Sequence, residues 1–241
     1  MLHQTRGLVL KNTRYGDTSL IVNVYTEKFG IQSYLVQGIR NSSKRYRSIS
    51  AGMLQAGSLL DLVVYHIPNK NLQRIREARF LSISKEASTA MIRNALLLYI
   101  AELLYRSISE PEPHPALFDY IHQQVCFIHT ADENKLANQA LVFTWQLASH
   151  LGFGIQNRWK EGMQFLDLEH GAFCTADELN SLNFIDESAA RILSLLLDDP
   201  LHKTPAATRK LLLNAALKYM QLHVPHMKEL KSVPILQMVL G

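Results

Sequence analysis

The chain has 241 residues, of which 47% are apolar and 19% are charged, a balance typical of globular proteins. No apolar run approaches the roughly 20 residues that span a bilayer, and the first residues lack the pattern of a signal peptide. Two cysteines, Cys126 and Cys174, are too few for a disulfide framework or a cysteine zinc cluster. We therefore expect a soluble cytoplasmic protein with no membrane contact, no metal and no cofactor.

The net charge of +4 conceals an asymmetry along the chain. Residues 1–80 hold 12 Lys and Arg against 4 Asp and Glu, a net charge of +8, whereas residues 81–241 hold 13 against 17, a net charge of −4. Such an asymmetry indicates a polyanion-binding part joined to a part with another role. The alternative is a chance clustering of solvated charges.

The first third of the chain predicts five short strands separated by turn residues. Glu27–Gly30 predicts a tight hairpin turn, and the connection over residues 38–57 is long. Five strands with a long third connection fit a small Greek-key barrel such as the oligonucleotide-binding (OB) fold, and five strands also fit other small sheets. The predicted strands are Thr5–Lys11, Ser19–Thr26, Ile31–Gln37, Ser58–Tyr65 and Leu72–Leu81.

After residue 86 the apolar residues recur at spacings of three and four, which predicts helices. An irregular insertion is expected around residues 155–175, and Gly152 is expected just past the end of the preceding helix. The predicted fold is α+β, with an OB barrel over residues 1–81 and an all-α domain over residues 82–241. The predicted helices are Ala87–Ile108, Pro115–Thr130, Lys135–Leu151, Ala176–Leu182, Glu187–Leu197 and Pro205–Leu222.

The basic residues of the predicted barrel concentrate in three connections and in its fifth strand. In an OB barrel the first and last hairpin loops frame the ligand face. Cations can neutralise phosphates there, and tyrosines can stack on bases. Nothing in the chain resembles a recognition helix or a zinc finger, so we expect nucleic-acid binding that tolerates sequence. The candidate nucleic-acid-binding residues are Arg14 and Tyr15 in the loop Asn12–Asp17, Arg40, Lys44, Arg45, Tyr46 and Arg47 in the long connection, Lys70, and Arg74 and Arg76 on one face of the fifth strand.

The sequence offers no case for an enzyme. It contains no phosphate-binding loop, no arguable catalytic triad and no activated cysteine. His223 and His226 have the spacing of a zinc-binding pair, but Pro225 breaks the helix that would align their rings.

Several ordered stretches are similar to one known family. In the barrel they are Gly7–Lys11, Tyr15–Leu20, Tyr25–Gly30, Val36–Arg40 and Leu54–Gly57, and in the helical part Tyr99–Leu104, Pro115–Tyr120, Leu147–Gly154 and Lys228–Leu240. Together they resemble the RecO DNA-repair proteins. The resemblance implies a non-catalytic recombination mediator in the cytoplasm, associated with the nucleoid. It also implies binding of single- and double-stranded DNA, strand annealing, and loading of the RecA recombinase onto DNA coated by single-strand-binding protein. The implied partners are RecR and the acidic C-terminal tail of that single-strand-binding protein.

Two departures from the family pattern affect what the resemblance implies. Many members carry a four-cysteine zinc insertion, whereas here Asn157 stands near the first cysteine position and only Cys174 resembles a later one. One thiolate cannot hold a tetrahedral zinc, so we expect a zinc-free insertion. Members also often carry arginine just before the aromatic residue represented here by Phe143, where this chain has Leu141-Val142. A basic tail-binding pocket therefore does not carry over directly.

A different class of function fits the same charge pattern. The basic barrel could hold an acidic segment of a partner, which would make the protein an interaction adaptor that binds DNA incidentally. Binding of RNA is a lesser variant of the nucleic-acid hypothesis.

Overall fold

The computed structural model describes residues 1–39, 49–81, 90–108 and 112–240. These residues form eight strands and six α-helices. The chain divides into two compact units, residues 1–131 and residues 132–241. Across the described ranges, no helix combines the length and apolar character that crossing a membrane requires.

The first unit contains the closed five-stranded barrel that the sequence predicts. The strands pair in the order β1-β2-β3-β5-β4, and β4 closes the barrel on β1. β3 and β5 are parallel, and the other neighbours are antiparallel. Four strands match their predicted bounds to within one residue at each end. The strands are β1 (Leu2–Tyr15), β2 (Ser19–Thr26), β3 (Gly30–Val36), β4 (Leu59–Tyr65) and β5 (Leu72–Phe80).

The first strand is longer than predicted. The predicted loop Asn12–Asp17 is wrong for its first four residues, because Lys11–Tyr15 continue to pair with Ser19–Asn23 of β2. The apolar alternation stops at Leu10, where the register of the two strands skips one residue. The polar residues beyond it therefore resembled a loop, although they complete a hairpin that turns at Gly16, in the left-handed region with φ +61°.

On one side of the barrel, apolar residues are buried on the inner surface of the wall and also on its outer surface. Alternate residues such as Val9, Val24 and Leu62 fill the interior. Their neighbours Leu8 and Tyr25 point outward and are also buried. They lie beneath two helices of the same unit, α1 (Ala90–Ser107) and α2 (Pro115–Thr130).

Specific side-chain contacts hold α1 and α2 against the barrel. The Tyr25 ring lies 6.0 Å from that of Phe118 of α2, and burial raises the Tyr25 pKa to about 12. Gly57 adopts φ +87°, and a Cβ there would lie 2.6 Å from Leu97 Cβ of α1. The Arg6 guanidinium of β1 bonds to Glu27 at 2.7 Å and to Asp119 of α2 at 3.1 Å. One side of the barrel is therefore covered by helix.

The second unit is built on four helices and one small sheet. α3 packs against α5, where the rings of Trp145 and Tyr219 lie 4.9 Å apart. The predicted Gly152 terminus is confirmed, since Gly152 has φ +91° and its N–H donates to Ser149 O. The helices are α3 (Gln139–His150), α4 (Glu187–Asp198), α5 (Ala206–His223) and α6 (Ser232–Leu240).

The insertion, together with a short segment that follows it, forms a sheet that the sequence did not predict. Its strands β6 (Phe165–Asp167), β7 (Ala172–Cys174) and β8 (Phe184–Asp186) pair in the antiparallel order β7-β6-β8. The predicted helix Ala176–Leu182 is wrong. The Glu178 carboxylate accepts hydrogen bonds from Thr175 N and Oγ1, as in a helix-capping box. The turn ends there, because Ser181 bonds to the backbone of Asn183 instead of continuing a helix.

Candidate nucleic-acid interface

Cross-strand pairing defines an unbroken line of outward-facing residues around the barrel. Residues that face each other across neighbouring strands point to the same side of a sheet. Following these pairs around the barrel gives one line across all five strands, which we call the outer row. It runs through Thr13, Ile21, Leu35, Arg74, Tyr65 and Leu2.

The outer row combines apolar, aromatic and cationic chemistry at the surface. Tyr65 is 46% exposed, Arg74 is exposed, and Ile21 and Leu35 are half-buried. Tyr65 and Arg74 are direct cross-strand partners. A tyrosine ring and aliphatic side chains present flat apolar area to a base, and a neighbouring guanidinium can reach its phosphate.

A polar row runs alongside the outer row. It joins Lys11, Asn23, Ser33 and Leu72 by the same cross-strand pairing. Asn23 Nδ2 donates to Ser33 Oγ at 2.8 Å, which fixes both side chains on the surface. The Lys11 ammonium lies 5.0 Å from the centre of the Tyr105 ring of α1, where the covered side of the barrel begins.

The structure separates Arg14 from Tyr15. They are successive residues of β1 and therefore point to opposite sides of the strand. Tyr15 is 55% exposed and shares the side of Thr13, so it extends the surface of the outer row. Arg14 shares the side of Asn12, whose amide donates to Leu54 O in the connection between β3 and β4.

A buried glutamine fixes the loop that carries Lys70. The Gln73 side chain is 2% exposed and accepts from Ile67 N at 3.0 Å. Its amide donates to Ile67 O at 2.8 Å and to Lys70 O at 2.7 Å. Asn69, with φ +63°, completes the tight turn. Gln73 thereby fixes the backbone at the exposed Lys70, four residues before Arg74.

Six candidate residues remain, and of these only Arg76 lies in the part of the chain that the structure describes. Arg76 is exposed, but it lies where the register of β5 with β4 skips one residue, so it is not part of the outer row. Its Nε lies 3.3 Å from Glu77 Oε1. Arg40, Lys44, Arg45, Tyr46 and Arg47 lie outside the described residues.

Sequence reasoning missed Tyr65, Gln73 and the half-buried Ile21 and Leu35. Only the parity of Tyr65, which follows the inward-facing Val64, could have indicated an outward aromatic residue. The role of Gln73 had no such signal, because its partners are backbone atoms of the preceding turn.

The second unit has a groove of about 490 Å³, including the space at its mouth. Most of its lining is apolar, and the exposed Lys210 lies alongside. The Arg209 guanidinium donates to Thr204 O at 2.8 Å and to Leu240 O at 3.5 Å, which links α5 to α6. The groove is lined by Ala137, Ala140 and Leu141 near the start of α3, by Ala206, Arg209, Lys210 and Leu213 of α5, and by Leu236, Gln237 and Leu240 of α6.

Two family models together match nearly the whole chain. Residues 1–83 match the N-terminal part of recombination protein O, and residues 88–233 match its C-terminal part. The chain belongs to the RecO family. The RecO N-terminal match contains the whole barrel and the outer row, and the C-terminal match ends at the beginning of α6.

Curated RecO proteins are similar to this chain over almost their full length. The DNA repair protein RecO of Azobacteroides pseudotrichonymphae is 29% identical, covering 99% of both chains. The DNA repair protein RecO of Bacteroides fragilis is 29% identical, covering 98% of both chains. The DNA repair protein RecO of Christiangramia forsetii is 27% identical over the full length of both.

Proposed function

We propose that this chain is a DNA-binding recombination mediator in recombinational repair, and that it works without catalytic turnover. The observation that carries the proposal is the outer row, where the exposed Tyr65 lies opposite Arg74 on the exposed side of a basic barrel. Membership of a family whose relatives are named DNA repair proteins supports the same function.

In this proposal cations contact phosphates and aromatic rings contact bases. Arg14, Lys70, Arg74 and Arg76, with the cations Arg40, Lys44, Arg45 and Arg47, neutralise phosphates. Tyr15, Tyr46 and Tyr65 stack on bases. Because these contacts do not depend on the identity of the base, binding tolerates sequence and weakens as salt rises.

Charge neutralisation also accounts for strand annealing. Two complementary strands repel each other through their phosphates, and a protein that neutralises both lowers that barrier without making a covalent bond. Single- and double-stranded DNA are therefore both ligands. The proposal assigns DNA binding to residues 1–81 and partner docking to residues 82–241, in a cytoplasmic, nucleoid-associated protein.

We also propose that partners dock on the helical part and help to load recombinase onto DNA coated by single-strand-binding protein. RecR is one partner, and the acidic C-terminal tail of single-strand-binding protein is the other. The groove between α3, α5 and α6 suits such a tail, because its lining is apolar and it carries Arg209 and Lys210. Leu141 of α3 and the cationic Arg209 and Lys210 of α5 line the same groove.

Fluorescence titration tests the DNA-binding part of the proposal. Replacing Arg40, Lys44, Arg45 and Arg47 together by alanine should weaken binding to single-stranded DNA of every sequence similarly, and should slow annealing of complementary strands. Unchanged binding would exclude this connection as part of the site.

Competition separates the proposal from the adaptor alternative. An acidic peptide is added at the same total concentration of negative charges as the DNA. Displacement of all DNA from the protein by this peptide would favour the adaptor. The tail proposal has its own control on α5. Lys210→Ala should weaken binding of an acidic peptide, whereas Lys218→Ala, also exposed on α5 but outside the groove lining, should not.

A further inference from the structure

The RecO resemblance implies a zinc ion in the insertion, and the side chains there would have to supply its donor atoms. Cys174 is the one thiol of residues 132–240, and it is buried. Burial and the nearby charge of Asp167 raise the pKa of the Cys174 thiol, whereas zinc binds the thiolate. In the described ranges, no three His, Cys, Asp or Glu side chains are grouped to hold a metal ion. The residues present do not fit a tetrahedral zinc site.

The acidic side chains of the insertion are already engaged in its turns. The Asp167 carboxylate accepts from the N–H groups of Glu169 and His170 and lies 2.9 Å from the His170 ring nitrogen. Burial acts to raise the pKa of Asp167, but these hydrogen bonds outweigh it and lower the pKa. Asp167 therefore holds the turn between β6 and β7 as an anion.

Asn157 closes the insertion at the position near the first family cysteine. Its Oδ1 accepts from Phe173 N at 2.7 Å, and its Nδ2 donates to Phe173 O at 2.8 Å. Both polar atoms of the amide are thus bonded to the backbone of the residue before Cys174. The Asn157 amide therefore pairs with the backbone of Phe173 as the backbone of a neighbouring strand would.

The residue before Asn157 strengthens the same connection. Gln156 N donates to Gly171 O at 2.8 Å, and its side-chain amide donates to His170 O at 3.1 Å. Four hydrogen bonds therefore join residues 156–157 to residues 170–173. We call this set the amide clamp.

Helix α5 supports the amide clamp from behind. Tyr219 Oη donates to Phe153 O at 2.6 Å, and the His223 ring nitrogen donates to Leu168 O at 3.0 Å. Gly171 has φ +66°, and a Cβ there would lie 2.3 Å from Tyr219 Oη, so a side chain is excluded. Gly171, whose carbonyl takes part in the amide clamp, therefore packs directly against Tyr219 of α5.

We propose that the Asn157 amide takes the structural place of a metal ion in this chain. It joins the two ends of the insertion that a shared zinc would otherwise join, and the protein binds no zinc. The inference concerns how the insertion is held and does not rest on the proposed DNA binding.

Metal content and chelator resistance test the first half of the proposal on the full-length protein. Protein produced in zinc-supplemented medium should contain less than about 0.1 zinc per chain by elemental analysis, and EDTA should leave its Tm unchanged. Zinc near one atom per chain, or a fall in Tm with EDTA, would overturn the proposal. Cys174→Ala should have the same zinc content and the same response to EDTA as the wild type, whereas zinc that is lost with the thiol would indicate a ligand role.

Hydrogen exchange tests the second half. Asn157→Ala should reduce the protection of the Phe173 amide by about tenfold or more and lower the Tm by about 3–8 °C. Asn157→Asp keeps the acceptor for Phe173 N and loses the donor, so its effect should be smaller at that amide. Asn180→Ala, which removes an exposed amide that donates to Glu178 O, is the matched control. Unchanged protection of Phe173 in both Asn157 variants would overturn the amide clamp.

Discussion

Tyr65 and Arg74 are directly opposite each other on the antiparallel strands β4 and β5, and both side chains are exposed. The pair lies beside the loop that carries Lys70, at the end of the barrel where β4 turns into β5. An aromatic ring and a cation are therefore adjacent on one surface of the sheet, a combination that proteins use to bind single-stranded nucleic acid.

The first prediction concerns this pair. Tyr65→Ala should weaken binding of single-stranded DNA by about 1–3 kcal/mol, because it removes one stacking surface, and Tyr65→Phe should retain most of the affinity. Arg74→Ala should make the salt dependence shallower by about 0.7 in the log–log slope, the share of one phosphate contact. Fluorescence anisotropy with a short labelled oligonucleotide measures both effects.

Arg79→Ala is the matched control for Arg74→Ala. Arg79 is also exposed on β5, but it lies at the opposite end of the strand, facing Asp61 of β4. Its replacement should leave affinity and salt dependence close to those of the wild type. Equal losses in the two arginine variants would mean that general charge, and not the outer row, accounts for binding.

The second prediction concerns the glutamine that holds the Lys70 loop. Gln73→Leu removes the partner of three backbone groups and should destabilise the protein by about 1–3 kcal/mol in urea denaturation. It should also weaken DNA binding, because the loop that carries Lys70 is no longer held in place. Gln55→Leu, at an exposed position of the same unit, should change neither property, and a variant of Gln73 with normal stability would contradict this role.

The third prediction concerns the pH dependence of stability. The hydrogen bond from Arg6 holds the pKa of Glu27 below its ordinary value of 4.5. A carboxylate with a depressed pKa in the folded state stabilises the protein above its unfolded pKa, and this contribution is lost as the pH falls through the folded value. The wild type should therefore be more stable than Glu27→Gln at pH 7, and the difference should close below about pH 4.5.

The size of this effect should be small. The Arg6 and Glu27 side chains are 31% and 32% exposed, so solvent screens the pair, and the difference at pH 7 should be about 1 kcal/mol or less. Urea denaturation of both proteins across the acidic range measures it. A difference that grows as the pH falls would contradict the assigned role of Glu27.

The fourth prediction concerns the joint between α1 and α2. Arg93 is 3% exposed and donates to Ile128 O and, at 2.9 Å, to Ala131 O, so it satisfies carbonyls at the end of α2. Arg93→Met should destabilise the protein by about 2–4 kcal/mol, because it leaves buried carbonyls without their donor. Lys28→Met, at an exposed turn, should be nearly neutral, and equal stability of the two variants would refute the capping role.

The barrel could be predicted because its sequence carries two independent signals. Apolar residues alternate over several positions in each strand, and turn residues such as Gly30 separate the strands. The extension of β1 to Tyr15 carried no apolar signal, since Lys11–Tyr15 are all polar or exposed at the surface. The backbone pairing between β1 and β2 continues to Tyr15, although no apolar pattern in the sequence indicates it.

The insertion shows where sequence patterns fail. Each of its strands has three residues, which is too short for alternation to appear. Its turns are set by side chains such as Asn157 and Asp167 that bond to distant backbone atoms. Such partners are defined by the fold and leave no periodic trace in the sequence.

The candidate site illustrates what charge and strand pairing each indicate. Basic residues cluster in the barrel, which is why the sequence nominates Arg74 and Lys70, and their binding of DNA stays a prediction. Tyr65 enters the candidate site only through its position opposite Arg74, which follows from the register of β4 and β5.

The salt dependence of binding to single-stranded DNA tests the central claim most directly. If about five phosphates are neutralised, the logarithm of the association constant should fall with the logarithm of salt concentration at a slope of about −3.5. A titration of the wild-type protein with an oligonucleotide of mixed sequence across salt concentrations measures this slope. A slope near zero, or no binding at low salt, would contradict DNA binding by the basic barrel.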